Sequence, residues 1–252
     1  MLLVCGTSIA LGQPPVHYQH RADMPPGFVG QQQLMRGGPL AGYFQPVELK
    51  SPEGSLISLA VDGGFARPQK ESSLAGMQIG YVYRFKVGNI PGHEGEEVFP
   101  TIEVVDRLYP PPGQATRFPI PIELTQEELE LALDGRYVTR VIYVEDPNAA
   151  LAEREIPGKQ RYFEIGAGQD PLKVADELGR PVAILRMGSR IPDGLLPDGR
   201  FLYDSPPLIQ YESPAANVPR NQGVEKPLEA PRDSNGRESR TFKRLPEREL
   251  RR

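Results

Sequence analysis

The sequence predicts a mainly β fold: an antiparallel β-sandwich, immunoglobulin-like or related, with two or three short helices at its periphery. The first observation is composition, since 26 glycines and 28 prolines among 252 residues favour many turns and short strands over long helices. The second is a clear two-residue period in residues 77–87, MQIGYVYRFKV. The third is that helix start and stop signals bracket short segments only.

Short strands are predicted from Tyr43 onward. The runs YFQPVEL and SLISLAV are β-like and are separated by the turn cluster KSPEG, and Asp62-Gly63-Gly64 predicts a tight turn. The strongest predicted strand is MQIGYVYRFKVGNI, residues 77–90. Its aromatic and branched side chains share one face and should enter the core: Met77, Ile79, Tyr81, Tyr83, Phe85 and Val87.

The next predicted strand should run antiparallel to that one. A polar loop, PGHEGEE, precedes a strand from Val98 to Leu108. Pro110, Pro111 and Pro112 end this strand, because proline cannot donate a hydrogen bond to a ladder. The segment RFPIPIEL is also extended, and its prolines place it at the edge of a sheet.

Two helices are predicted from their ends. Thr125 and Glu128 form a T-x-x-E capping box before QEELELALDG, and Gly135 fits the helix stop. Asp170 is an expected N-cap for PLKVADELG, with proline at the first helical position and Gly179 at the stop.

Further strands are predicted in the second half of the chain. They are residues 137–145 (YVTRVIYVE), the short piece RYFEIG, and a final strand in PVAILRMG. Two P-D-G turns follow, at residues 192–194 and 197–199.

The first twelve residues predict a signal peptide that is truncated at its start. They are apolar from Leu2 to Leu11, and Ala10-Leu11-Gly12 resembles a cleavage site, but no basic region precedes them. Cys5, the single cysteine, would be removed with this segment, so the mature protein would contain no disulfide.

Three further segments follow the predicted signal peptide. Residues 13–40, rich in proline, glycine and glutamine, predict a linker, and residues 41–205 predict the β-rich domain. Residues 206–252 predict a disordered charged tail, because they contain too few apolar residues to offset the entropy of ordering.

Two charged residues interrupt apolar strand faces. In TIEVVDRLYPPPG, Asp106 shares a face with apolar residues, and in YVTRVIYV, Arg140 does the same. A lone buried charge is very costly, whereas a paired one is tolerated. We therefore expect Asp106 and Arg140 to form a structural ion pair, with Arg84 as the alternative partner of the carboxylate.

The sequence carries no motif for a particular chemistry. It contains no nucleophile elbow, H-E-x-x-H, Walker loop or EF-hand pattern, and no metal or cofactor is predicted. The residues that come closest to a polar site are Glu103 and Glu145 on predicted strands and His93 in the loop HEGEE. A pair of carboxylates acting as in a glycosidase stays open, since such residues need only be close in space.

Three stretches resemble exported proteins of unknown function from planctomycete-type bacteria. They are YRFKVGNIPGHEGEEVFPTIEVVDRLYPPPG, FPIPIELTQEELELALDGRYVTRVIYVEDP and DPLKVADELGRPVAILRMGSR, and the resemblance covers about residues 40–192. It implies export and an envelope context, but it supplies no activity and no catalytic residues that could be assigned to this chain.

These observations together predict a secreted, non-enzymatic protein of the cell envelope, located in the periplasm, in the envelope or outside the cell. Its partner would be an envelope protein or a polysaccharide. Nucleic acid is excluded as a partner because the net charge is −4, and no segment has the roughly 18 apolar residues of a spanning helix. The alternative is a carbohydrate-binding protein or an acid/base hydrolase that uses carboxylates on the sheet.

Overall fold

The computed structural model describes residues 21–148, 150, 160–162, 164–166, 168–188 and 206–211. These residues contain twelve strands and three α-helices. The helices are α1 (Phe28–Met35), α2 (Gln126–Leu133) and α3 (Pro171–Leu178). The strands are β1 (Phe44–Lys50), β2 (Leu56–Val61), β3 (Gly64–Phe65), β4 (Gln69–Lys70), β5 (Ser72–Gln78), β6 (Val82–Ile90), β7 (His93–Val98), β8 (Thr101–Val104), β9 (Ile120–Glu123), β10 (Val138–Glu145), β11 (Gly179–Met187) and β12 (Leu208–Tyr211).

The strands form two sheets. The smaller has the order β12-β5-β1-β9, and the larger has the order β10-β11-β8-β6-β2-β3, with β4 added to β2 and β7 to β6. Strand β9 pairs with β1 in parallel, and the other described pairs are antiparallel. The predicted class, a mainly β antiparallel sandwich with short helices, is confirmed. Strand β9 lies at a sheet edge, as its prolines predicted.

Both sheets contribute to one hydrophobic core. In β6 the inward side chains Tyr83, Phe85 and Val87 alternate with more exposed neighbours, as the two-residue period predicted. Val47 and Leu49 of β1 meet them from the smaller sheet. Full burial of one such side chain stabilises a fold by roughly 1.5–3 kcal/mol.

The outer face of the larger sheet is also covered, in part. A second apolar cluster joins Ala22, Val29, Val105, Leu172 and Ile184, so the N-terminal segment with α1 and the helix α3 both pack on β8 and β11. Strand β11 is accordingly buried along nearly its whole length, as is typical of a strand with both faces covered.

The predicted linker over residues 13–40 is therefore wrong for the residues that the structure describes. Residues 28–35 form α1, and Ala22 and Val29 are 3% and 1% exposed. The glutamine-rich sequence does not predict this helix, because α1 has little amphipathic pattern. Its contacts with the sheet anchor it instead.

The predicted continuous strand over residues 77–90 is interrupted. Gly80 has a φ of 83°, a left-handed conformation that ends β5 and starts β6. A Cβ atom at Gly80 would lie 2.7 Å from Leu34 of α1, so the absent side chain also admits this helix. Tyr81 consequently points outward and is 45% exposed.

Other local predictions are confirmed. Thr125 and Glu128 form the full capping box of α2, and Asp170 caps α3 with proline at its first position. Asp62 and Gly63 have positive φ values in the tight turn between β2 and β3. The predicted polar loop PGHEGEE is in fact mostly strand, since β7 pairs with β6.

The C-terminal predictions are partly corrected. Residues 208–211, assigned to the disordered tail, form β12 at the edge of the smaller sheet. The described residues of RYFEIG lie outside strands. The predicted signal peptide with Cys5, the two P-D-G turns and the chain after Tyr211 lie outside the described residues. Among the described helices, none is long and apolar enough to cross a membrane.

Candidate functional site

A pocket of about 100 Å³ lies between α1 and α3, next to the end of β8. We call it the α1–α3 pocket. Four of its lining residues are apolar and three are charged. The lining residues are Val29 and Gln33 from α1, Val105 and Asp106 after β8, Leu172 and Asp176 from α3, and Arg180 and Pro181 from β11.

Asp170 fixes the two helices beside this pocket. Its carboxylate accepts hydrogen bonds from the backbone N–H of Leu172 at 2.8 Å, which caps α3, and from the N–H of Ala22 at 3.2 Å. The start of α3 and the segment before α1 are therefore held by one side chain, and proline at the first helical position preorganises the turn.

Asp106 sits at the rim and is already engaged. One of its oxygens accepts a hydrogen bond from the Arg180 guanidinium, and the other accepts the N–H of Arg107 at 2.7 Å. Arg180 also donates to the carbonyl oxygen of Arg107 at 3.0 Å. The side chains of Asp106 and Arg180 are 18% and 40% exposed, so this ion pair borders solvent.

Next to this ion pair, the guanidinium of Arg107 lies over the rings of two tyrosines. Its guanidinium carbon lies 4.4 Å from the ring centroid of Tyr109 and 5.4 Å from that of Tyr43. Arg180 also approaches Tyr109, at 5.4 Å, and Tyr109 is 65% exposed. The Nε atom of Arg107 is buried and has no hydrogen-bond partner within the described chain.

A buried ion pair lies in the layer beneath the N-terminal segment. Glu103 and Arg186 are 0% and 3% exposed and are joined at 2.9 Å. Glu103 also accepts the N–H of Gly30 at 2.9 Å, and Arg186 donates to the carbonyl oxygen of Ala22 at 3.3 Å. Glu103, a candidate for a polar site from the sequence, therefore anchors the N-terminal segment and is inaccessible to a ligand.

The predicted pair between Asp106 and Arg140 is wrong. Val105 and Asp106 both donate their N–H groups to the carbonyl oxygen of Val182, as in a β-bulge. The alternation of β8 thus ends before Asp106, which turns to Arg180 at the pocket rim.

Arg140 forms an ion pair with a carboxylate of α2. It pairs with Glu128 of the capping box at 3.1 Å and donates to the carbonyl oxygen of Glu123 at 2.7 Å. Burial lowers the pKa of Arg140, while Glu128 and Glu123 act in the opposite direction. The expectation that each charge needs a partner was correct, and the identity of the partners was not.

The remaining predicted site residues lie apart from the pocket. Glu145 at the end of β10 pairs with Arg161 at 2.9 Å, and both side chains are more than 40% exposed. His93 on β7 contacts Glu96 at 3.0 Å, also at the surface. Among the described residues, no three His, Cys, Asp or Glu side chains are grouped to hold a metal ion.

Sequence reasoning missed the other residues of the site. Arg107 and Tyr109 follow Asp106 directly in DRLYPPP, and this run of charged and aromatic residues was the one available signal. Asp176 and Arg180 reach the pocket only because α3 and β11 pack beside β8.

Comparison of the chain with family models, with curated proteins and with solved structures finds no match. Chemically, the site offers an apolar pocket of side-chain size, charged residues at its rim and a guanidinium over an exposed tyrosine ring. These are features of recognition, since aromatic and arginine side chains dominate binding sites energetically.

Proposed function

We propose that the protein is an exported, non-enzymatic binding protein of the cell envelope, which holds a partner at the α1–α3 pocket and at the adjoining Arg107 and Tyr109. One observation carries the proposal: Asp106, a carboxylate that lines the pocket, is committed to Arg180 and to a backbone N–H beside apolar side chains. A carboxylate held in this way orients its neighbours and is poorly placed to act on a substrate.

The volume of the pocket supports the same view. Sites that enclose small ligands measure roughly 300–1,000 Å³. A cavity of about 100 Å³ accepts one projecting group, such as a single side chain. The partner would therefore lie on the surface and insert one group, as protein partners do at an anchor position.

The export component of the proposal comes from residues 1–12 and from the resemblance to exported planctomycete-type proteins. Fractionation of cells that express the natural gene tests it, by immunoblotting cytoplasmic and envelope fractions. Recovery of the protein only in the cytoplasmic fraction would contradict the proposed export.

A hydrolase is the second candidate, because Asp106 and Asp176 both line the pocket and glycoside hydrolysis uses two carboxyl groups. Incubating the full-length protein with envelope polysaccharides and measuring new reducing ends tests it. Turnover that disappears in both Asp106→Asn and Asp176→Asn would replace the binding proposal, and we expect no turnover.

Partner binding is tested with two charge reversals on α3. The full-length protein is immobilised, envelope components are captured, and each captured component is purified before its Kd is measured. Asp176→Arg reverses a charge at the pocket rim and should change the Kd at least tenfold. Lys173→Glu alters an exposed position outside the pocket and should leave the Kd unchanged. Equal Kd values for the wild type and both variants would contradict a partner at this pocket.

A further inference from the structure

Arg107 differs from the other arginines near the pocket. Arg180, Arg186 and Arg140 each have a carboxylate partner, namely Asp106, Glu103 and Glu128. Arg107 has none within the described chain, and its guanidinium lies over the rings of Tyr43 and Tyr109. A cation that is held in place without a counter-charge in its own chain is well placed to bind an anionic group of another molecule.

We propose that Arg107 binds a carboxylate of an acidic peptide segment in a partner protein, and that a neighbouring aliphatic side chain of this peptide enters the α1–α3 pocket. The inference rests on the proposed binding function and names the chemistry of the partner.

Within the described chain, no hydrogen-bond acceptor engages the terminal N–H groups of Arg107. A cation–π contact involves the charge of the guanidinium and leaves the N–H groups along its planar edge able to donate. That edge matches the two oxygens of a carboxylate, which can accept a pair of parallel hydrogen bonds. Tyr43 and Tyr109 therefore orient Arg107 and reduce the entropy that its side chain would lose on binding.

A carboxylate suits the site better than a phosphate. The single guanidinium of Arg107 balances one negative charge, which a carboxylate supplies and a dianionic phosphate exceeds. Arg180 is already committed to Asp106, which leaves one guanidinium for the ligand.

A peptide suits the pocket better than a sugar. Val29, Val105, Leu172 and Pro181 present apolar surface, on which sugar hydroxyls would lose hydrogen bonds to water. The pocket, with a volume of about 100 Å³, has room for an aliphatic side chain, which is stabilised by its burial there.

The two parts of the site are close enough for one short peptide. The guanidinium carbons of Arg107 and Arg180 lie 4.4 Å and 5.4 Å from the same Tyr109 ring centroid, so they are no farther apart than the sum of these distances. An extended chain advances about 3.3 Å per residue. The acidic and aliphatic residues should therefore be separated by one to three positions.

The test uses fluorescent nonapeptides that carry one Glu and one Leu at spacings of one to four residues. Binding to the full-length protein is measured by anisotropy, beside the matching peptides with Gln in place of Glu. We expect one spacing to bind best and its Gln version to bind at least tenfold more weakly.

Protein variants then assign the carboxylate to Arg107. With Arg107→Gln, the Glu and Gln peptides should bind equally, and Arg107→Lys should retain only part of the preference, because an ammonium lacks the planar pair of donors. Arg67→Gln changes an exposed arginine elsewhere and should behave as the wild type. Thermal unfolding of each variant verifies that the fold is intact.

With these soluble probes, two outcomes would overturn the inference. One is a Glu preference that persists in a folded Arg107→Gln variant. The other is Arg107-dependent binding of oligogalacturonate with no peptide bound, which would assign the site to an acidic sugar. A purified envelope partner that is sensitive to Asp176→Arg but indifferent to Arg107→Gln would refute the inference alone, whereas the absence of any partner would refute the proposed function.

Discussion

At the scale of single residues, three arginines each hold a carboxylate at a different depth. Glu103 and Arg186 are 0% and 3% exposed, Arg140 and Glu128 are 13% and 14% exposed, and the pair at the pocket rim borders solvent. Removal of one partner from a buried pair leaves an uncompensated charge, whereas exposed pairs contribute little. The three pairs should therefore differ in their effect on stability.

We predict that Glu103→Gln lowers the free energy of unfolding by about 3–5 kcal/mol, because Arg186 stays buried without a counter-charge. Urea denaturation measures this loss. The double variant Glu103→Gln with Arg186→Met should recover part of it. Glu145→Gln, in an exposed pair, is the control and should cost less than about 1 kcal/mol. A loss of similar size in both single variants would contradict the assignment of Glu103 as a buried anchor.

Tyr83 provides a second prediction, on pH. It is 2% exposed, donates to the carbonyl oxygen of Pro207 and accepts the N–H of Gln78. Burial raises the pKa of Tyr83 to about 12, with the Gln78 hydrogen bond acting in the opposite direction and Tyr81 adding to the rise. The folded state therefore keeps its proton after the unfolded chain has lost it.

The contribution of Tyr83 should be complete below pH 10 and should be lost as the pH rises from 10 to about 12, by roughly 2–3 kcal/mol. Urea unfolding at a series of pH values from 8 to 12 measures it. Tyr83→Phe should show a smaller decline over this range, and Tyr137→Phe, at an exposed position, should follow the wild type. An undiminished decline in Tyr83→Phe would show that other groups cause it.

At the scale of elements, both α2 and α3 are short helices whose ends are specified locally. The box of Thr125 and Glu128 satisfies backbone donors at the start of α2 and also places Glu128 beside Arg140. Asp170 caps α3 and binds Ala22 as well. In both helices, a residue of the cap therefore also contacts another element of the fold.

We predict that Thr125→Ala lowers the free energy of unfolding by about 1 kcal/mol, as is typical of a lost N-cap. Asp170→Ala should lower it more, because the N–H of Ala22 also loses its acceptor. Thr116→Ala, which removes no cap, should change it by less than about 0.5 kcal/mol. Chemical denaturation ranks the three variants, and equal losses for Thr125→Ala and Asp170→Ala would argue against a role of Asp170 in holding the N-terminal segment.

At the scale of the whole molecule, the N-terminal segment completes the fold by covering one face of the larger sheet. The fit depends on two glycines, since a Cβ atom at Gly30 would lie 2.8 Å from the carbonyl oxygen of Val104 and 2.9 Å from the Cα of Gly80. Both contacts are with backbone, so neither can be relieved by a side-chain rotation.

Gly30→Ala should therefore lower the free energy of unfolding by about 1–3 kcal/mol. This is the reverse of the usual gain of up to about 1 kcal/mol when alanine replaces glycine inside a helix. Gln31→Ala, at the next and exposed position of α1, should be neutral or slightly stabilising. A stabilised Gly30→Ala variant would show that α1 does not pack closely on the sheet.

The candidate site was only partly predictable. Asp106 drew attention because its charge interrupts an apolar pattern, and the requirement for an arginine partner followed from the cost of burial. The partner itself, Arg180, is 74 positions away, and Glu103 and Arg186 are 83 positions apart. Residue pattern along the chain carries no information on which of several arginines will lie nearest.

The sequence by itself determined the mainly β class, the caps of α2 and α3, the turn at Asp62-Gly63 and the edge position of β9. Each of these depends on a period of two or on residues within a few positions of one another. The tertiary structure alone decided the partners of the charged residues, the place of α1 and β12 in the fold, and the α1–α3 pocket. Those features arise when distant segments pack together, so the contact between surfaces, and not the local pattern, specifies them.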